Sequence, residues 1–194
     1  MPDKHKIKIP SIPQDLAEEV IAMIESGINR PGGTFFDGLR AIYDGIEKFN
    51  QFVKTFTVCR KGCSWCCNYD VFISGLEAYY LAFEQGIQID THRTITVHHH
   101  SPCPFLDLDG SCSVYRSRPL NCRTLHTLDS PHYCKTGNAT HEIYGSAGHG
   151  YGNDIYAQVA GWIKLVNEKQ AMPYRDIRDW FHQDNEKINI KLIT

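Results

Sequence analysis

The stretch Cys59-Arg60-Lys61-Gly62-Cys63-Ser64-Trp65-Cys66-Cys67 decides how the rest of the chain is read. Four thiols this close in sequence can be gathered locally around a soft metal, and thiolates suit Zn²⁺, iron and iron–sulfur clusters. The short gaps let one turn of chain wrap an ion, with Gly62 relieving backbone crowding. Cys66 and Cys67 are harder to aim at one metal, because successive side chains diverge. That adjacency points to a bridging or two-site arrangement. Cys103, Cys112, Cys122 and Cys134 then either complete one cluster or build a second site.

Outward from this run the chain reads as helices. Ser11, Pro13 and Gln14 mark a helix start, and Leu16, Val20, Ile21 and Ile24 recur at helical spacing as far as Gly27. After Pro31-Gly32-Gly33, a second helix is expected from Phe35 to Thr55, with Phe36, Leu39, Ile42, Tyr43, Ile46 and Phe49 on its apolar side. Ser74 with Glu77 three positions later marks a third, ending at Gly86, in which Tyr79, Tyr80 and Phe83 serve packing. Thr94 to His98 reads as a short extended piece. Helices are expected at Ile155 to Glu168 and, after Pro173, at Tyr174 to Asn185. Between Ser101 and Gly150 the chain is rich in Pro, Gly, Ser, Asp and Cys, so its order must come from something other than apolar burial, and metal ligation supplies it.

A chain of 194 residues can bury one real core without staples, so a single domain over residues 1–194 is expected. The formal net charge of −2, with no long basic run, gives no nucleic-acid signal. No apolar stretch is long enough to span a membrane, and Met1-Pro2-Asp3-Lys4-His5-Lys6 lacks the apolar core of a secretion signal. The expectation is a cytoplasmic location, where thiols stay reduced. The competing scheme of four disulfides is disfavoured by the chain's size and by the adjacent Cys66 and Cys67.

In the second cysteine block, Asp107 to Gly110 has the composition of a tight turn that returns Cys103 toward Cys112. Arg118 and Arg123 are candidates to offset thiolate charge. His98, His99, His100, His126 and His132 are weaker ligand candidates, and Asp129 is a candidate proton-transfer group. Trp65 is placed either to shield a metal or simply to pack. Gly145 to Gly152 lacks a dinucleotide or phosphate-loop fingerprint and reads as a connector.

Cys59-x3-Cys63-x2-Cys66-Cys67, Cys103-Pro104-Phe105-Leu106, Gly110-x-Cys112-x-Val114-Tyr115 and Arg118-Pro119-x-x-Cys122-Arg123, in that order, resemble the YkgJ-type cysteine-cluster family, described as zinc- or iron-chelating. The resemblance covers residues 59–134. It implies metal binding by Cys59, Cys63, Cys66, Cys67, Cys103, Cys112 and Cys122, with Cys134 resembling the family's more loosely placed last cysteine. Related flagellin lysine methylases, thought to carry an iron–sulfur cluster, keep protein lysine modification open, although no methyl-donor signature accompanies the thiols. Cys59, Cys63 and Cys66 alone also resemble the radical S-adenosylmethionine motif. That reading calls for a large β/α barrel and leaves Cys67 and the later cysteines unexplained.

The expected protein is therefore mainly α, its helices flanking an irregular cysteine-rich metal-binding centre at 59–134 with at most short strands. The cofactor is Zn²⁺ or iron, the latter including a 4Fe-4S cluster. Partners are metal ions and a protein partner or substrate, with no membrane. Catalysis is an open question, and no catalytic residue is assignable.

Overall fold

Apolar residues three and four apart build the first two helices, α1 (Gln14–Ile28) and α2 (Phe35–Val53). The computed structural model describes residues 8–60, 62–91, 96–99, 101–136, 142–145 and 151–181. Ser11 does not cap α1; the helix begins after Pro13, whose carbonyl accepts from the Ala17 amide. In α2 the Thr34 hydroxyl accepts from the Asp37 amide while the Asp37 carboxylate accepts from the Thr34 amide, satisfying two otherwise orphaned donors. The two helices approach closely at Gly27, where a built Cβ would lie 2.0 Å from the Ala41 side chain.

A 3₁₀ turn at Trp65–Asn68 then leads into β1 (Phe72–Ser74) and α3 (Gly75–Gln85). The expected Ser74–Glu77 capping box is formed, and Gly86 closes α3 in the left-handed conformation at φ 65°. The middle of the chain carries only α4 (Leu120–Thr124), β2 (His126–Thr127), α5 (Pro131–Thr136) and β3 (Ile143–Tyr144). α6 (Asp154–Lys169), capped by Asn153, returns to the helical body. β4 (Tyr174–Asp176) and α7 (Ile177–Trp180) follow. The sheets are two antiparallel pairs, β1 with β4 and β2 with β3. The architecture is mainly α with short strands around a cysteine-rich centre, and no barrel occurs among the described residues.

The helix expected at Tyr174 to Asn185 is corrected. Tyr174 to Asp176 is a strand, pairing Ser74 with Tyr174 and Phe72 with Asp176, and only Ile177–Trp180 is helical. Two bonds hold the strand in place: the Pro173 carbonyl accepts from the Gly75 amide, and Asp176 accepts from the Val71 amide at 2.6 Å. Residues 182–185 of that expectation lie outside the described residues, as do Thr94 and Ile95 of the expected extended piece.

Burial is divided between two apolar clusters. The larger joins α1, α2 and α6 through Val20, Leu39, Ile42, Ile46, Phe49, Val159 and Ile163. The smaller gathers Ile73, Leu81, Val114, Ile177, Trp180 and Phe181, and Cys103 and Cys112 pack against it. The cysteine-rich segment thus rests on both clusters, Cys103, Cys112 and Val114 on the smaller and Leu120 and Leu128 on the larger. Among the described residues, no helix is long and apolar enough to cross a membrane.

Candidate metal centre

The first cysteine run is held at both ends by distant backbone. Val58 donates its amide to the Thr127 carbonyl at 2.9 Å, and the Thr127 amide donates to Cys59 Sγ at 3.3 Å. Cys66 and Cys67 sit on the 3₁₀ turn, closed by the Cys67 amide to the Ser64 carbonyl at 2.9 Å. The Cys67 carbonyl in turn accepts from the Cys103 amide at 2.8 Å, which brings the second block against the first.

The expected turn at Asp107 to Gly110 is present. The Gly110 amide donates to the Asp107 carbonyl at 3.0 Å, the Asp107 amide to the Ser111 carbonyl at 2.9 Å, and Leu106 bridges antiparallel to Cys112. Cys122 lies on α4, started by Pro119, whose carbonyl accepts from the Cys122 amide at 3.0 Å. Cys134 lies on α5, its sulfur 3.0 Å from the Thr127 hydroxyl. The Tyr69 hydroxyl donates to the Cys134 carbonyl, drawing α5 over the 3₁₀ turn.

All eight cysteines are free and half-buried, so no disulfide framework forms. Their mutual repulsion sorts them. Cys63 is affected by Cys59, Cys66 and Cys134, and Cys134 by Cys59 and Cys66. Cys122 is affected by Cys103, Cys66 and Cys112. Cys59, Cys63 and Cys134 are thus coupled, as are Cys103, Cys112 and Cys122, although no three of the sulfurs lie within 4.8 Å of one another. Cys66 is coupled to members of both.

Burial, joined by neighbouring sulfurs, raises the thiols of Cys63, Cys112, Cys122 and Cys134, and pushes Cys103 up to about 11. Cys66 is raised first by its hydrogen bond with Cys67 and then by burial. Arg118 acts in the opposite direction on Cys66, Cys112 and Cys122, the role expected for it. Arg123 does not share that role. Its guanidinium donates to the carbonyls of Arg116 and Arg118 and stacks 4.0 Å over the Tyr43 ring.

The histidine candidates fall elsewhere. His126 is buried, its Nε2 3.3 Å from the Tyr156 hydroxyl, and burial pushes it down to about 4. The exposed His132 has its ring against Tyr133. The amides of His98 and His99 donate to the Asp70 carboxylate at 2.5 and 2.9 Å, and His100 lies outside the described residues. Asp129 accepts from the amides of Ser130 and Glu142 at 2.7 and 2.8 Å, which gives it a loop-bracing role. Trp65 is 41% exposed under the Lys135 ammonium and so does not seal the sulfurs from water. Residues 146–150 of the glycine-rich connector lie outside the described residues.

Ligand atoms of Asp70, His99 and Asp176 lie within 4.8 Å of one another, the one such group of three or more His, Cys, Asp or Glu among the described residues. A cation already occupies this neighbourhood: Arg178 Nη1 donates to Asp176 at 3.0 Å. The same guanidinium donates to the carbonyls of Cys67 at 2.9 Å, Tyr69 at 3.1 Å and Ser101 at 2.8 Å. This cluster is a brace behind the cysteine knuckle. Asp176 before Ile177 carries a helix-cap signal in sequence, but nothing local to Arg178 announces carbonyl partners more than a hundred residues away.

No curated protein and no solved structure matches the chain. Residues 58–142 match a family model described as "CxxCxxCC: Putative zinc- or iron-chelating domain". The matched span contains all eight thiols just described, and over this cysteine-rich segment the chain is similar to that cysteine-cluster family.

Proposed function

We propose that the protein chelates zinc or iron through the thiolates of Cys59, Cys63, Cys66, Cys67, Cys103, Cys112, Cys122 and Cys134, arranged as two neighbouring sites. Cys59, Cys63 and Cys134 belong to one site and Cys103, Cys112 and Cys122 to the other, with Cys66 and Cys67 completing them. The observation that carries this reading is the family model matched over residues 58–142, which contains all eight thiols.

The residues fit the metal on chemical grounds. Buried sulfurs that repel one another favour the protonated form in the absence of a cation, and a bound Zn²⁺ or iron inverts that preference. Eight soft donors match either metal, and a bound metal would tie together loops that lack an apolar core of their own. Arg118 lowers the charge cost of the second group, and the Thr127 amide and hydroxyl orient Cys59 and Cys134. An iron–sulfur centre and a lysine-modifying activity are alternative uses of the same thiols, and no further residue favours them.

Anaerobic purification followed by elemental analysis and visible absorption tests the proposal. Colourless protein with stoichiometric zinc, or protein with bound iron, is the expected outcome; brown protein with acid-labile sulfide selects the cluster form. Recovery of folded, metal-free protein with free thiols from metal-replete cells would overturn it.

A further inference from the structure

Of the α3 aromatics expected to pack, only Tyr80 turns inward; Tyr79 and Phe83 are 41% and 65% exposed. The buried face of α3 carries a carboxylate as well, that of Glu77. Its Oε2 accepts from the Ser74 amide at 3.0 Å and from the Ser74 hydroxyl at 2.7 Å, closing the N-terminus of α3. Its Oε1 accepts from the Leu120 amide at 2.7 Å and from the Tyr43 hydroxyl at 3.1 Å. Leu120 is the first residue of α4, the turn that carries Cys122. One carboxylate therefore caps two helices. Pro119, which precedes Leu120, makes no side-chain cap, and without Glu77 the Leu120 amide would be an orphaned donor in the core.

The rest of α4 is tied to the same body. The Arg123 carbonyl accepts from Asn50 Nδ2 of α2 at 2.9 Å, and Asn121 Nδ2 donates to the Phe72 carbonyl of β1 at 2.7 Å. Tyr43 meets Glu77 with its hydroxyl and carries the Arg123 guanidinium 4.0 Å over its ring. Among these ties, the bond from Leu120 to Glu77 fixes the start of the turn, two residues before Cys122, and its acceptor is a carboxylate, so it is about twice as strong as the amide bonds.

We propose that Glu77 is a positioning residue for Cys122: by fixing where α4 begins, it sets how the Cys122 sulfur is presented to a metal. This rests on the chelation proposed above. The capping box needs only one carboxylate oxygen, and the second is committed to the cysteine-bearing turn.

Two matched pairs of variants isolate the second oxygen. Leu120→Pro deletes the amide, and the backbone accommodates it: proline is favoured at the first position of a helix, and Pro119 at ψ 163° already has the extended geometry a following proline demands. Its control is Leu120→Ala, which keeps the amide. Glu77→Ala removes both caps, and its control is Ser74→Ala, which removes only the α3 half. On the full chain as purified, alkylation read cysteine by cysteine in a mass spectrometer should be about tenfold faster at Cys122 in each variant than in its control, with Cys59 unchanged. Transfer of bound metal to a chelator should quicken by a similar factor. If one variant does not fold, the other pair decides. Equal Cys122 rates within the pairs overturn the proposal, as does an equal rise at Cys59, which would make Glu77 a general structural brace, or unchanged metal transfer. A wild-type chain that holds no metal yet shows the Cys122 contrast would instead overturn the chelation reading and sustain the placement of the thiol by Glu77.

Discussion

In the body built from α1, α2 and α6, Val20, Leu39, Ile42, Ile46 and Phe49 are completely buried, and aromatic edges lock the packing, as where Phe49 meets Tyr156 at 5.3 Å. In the two cysteine-bearing stretches on either side of α3, 59–71 and 101–134, every cysteine is half-buried, regular structure is reduced to short turns and a strand of two residues, and the cross-links are hydrogen bonds such as Thr127 to Cys59. The body is ordered by removing apolar surface from water, at about 25 cal/mol per Å². The cysteine-bearing stretches hold sulfurs whose charged forms burial opposes. One region folds by its own packing; the other, on the chelation proposed above, depends on a cation.

Chelation should break this contrast most strongly. Removing metal from the loaded protein is expected to abolish exchange protection in the cysteine-bearing stretches 59–71 and 101–134 while α1, α2 and α6 retain theirs, measured region by region. A uniform loss of protection would show that the two regions do not differ in this way. Next in size is Arg178→Ala, which strands the fully buried Asp176 carboxylate and frees the Cys67 and Tyr69 carbonyls. A loss of about 3–5 kcal/mol is expected in denaturant unfolding, accompanied by reduced metal content.

Phe49→Ala has a similar cost, about 3–5 kcal/mol, but a different signature: the fraction that folds should carry the wild-type complement of metal. Metal loss from that folded fraction would erase the distinction between the regions.

His126 offers a pH probe at their seam, bonded to Tyr156 of α6 while opening β2. Its folded value of about 4 lies below the ordinary 6.5, so between these limits the unfolded chain binds the extra proton. Stability is therefore complete above about pH 6.5 and falls as pH drops through this window, by about 3 kcal/mol at most. His126→Gln should flatten that part of the profile relative to wild type, and an unchanged slope would remove His126 as its source. The smallest effect is expected from Ser74→Ala, about 1 kcal/mol through loss of the α3 cap, seen in thermal unfolding with no change in bound metal.

The local signals were readable where the partners are close in sequence. Ser74 and Glu77 announce their capping box, Gly86 its left-handed stop, and Asp107 to Gly110 the turn that returns Cys103 to Cys112. The cysteine spacing carried the family, which residues 58–142 bear out. What was hidden depends on distant pairing. Tyr174 to Asp176 reads as the start of a helix until Phe72–Ser74 is available as its neighbour. Arg123 and Arg118 look equivalent in sequence, yet Arg123 turns to Tyr43 and carbonyls while Arg118 acts on the sulfurs. The role of Thr127, between Cys59 and Cys134, has no signature in sequence at all.

The Arg178 brace sets an order of events during biosynthesis. A ribosome-bound chain that has emerged only as far as α5 already exposes all eight thiols, yet it lacks the guanidinium that fixes the Cys67 and Tyr69 carbonyls and the strand that pairs with β1. Under the chelation proposed above, a metal captured then would meet an unbraced knuckle, whose backing comes only when residues 174–180 arrive. The knuckle is thereby backed only after residues 174–180 have been made, and a nascent chain that stalls before Arg178 presents its sulfurs without the framework built to hold them.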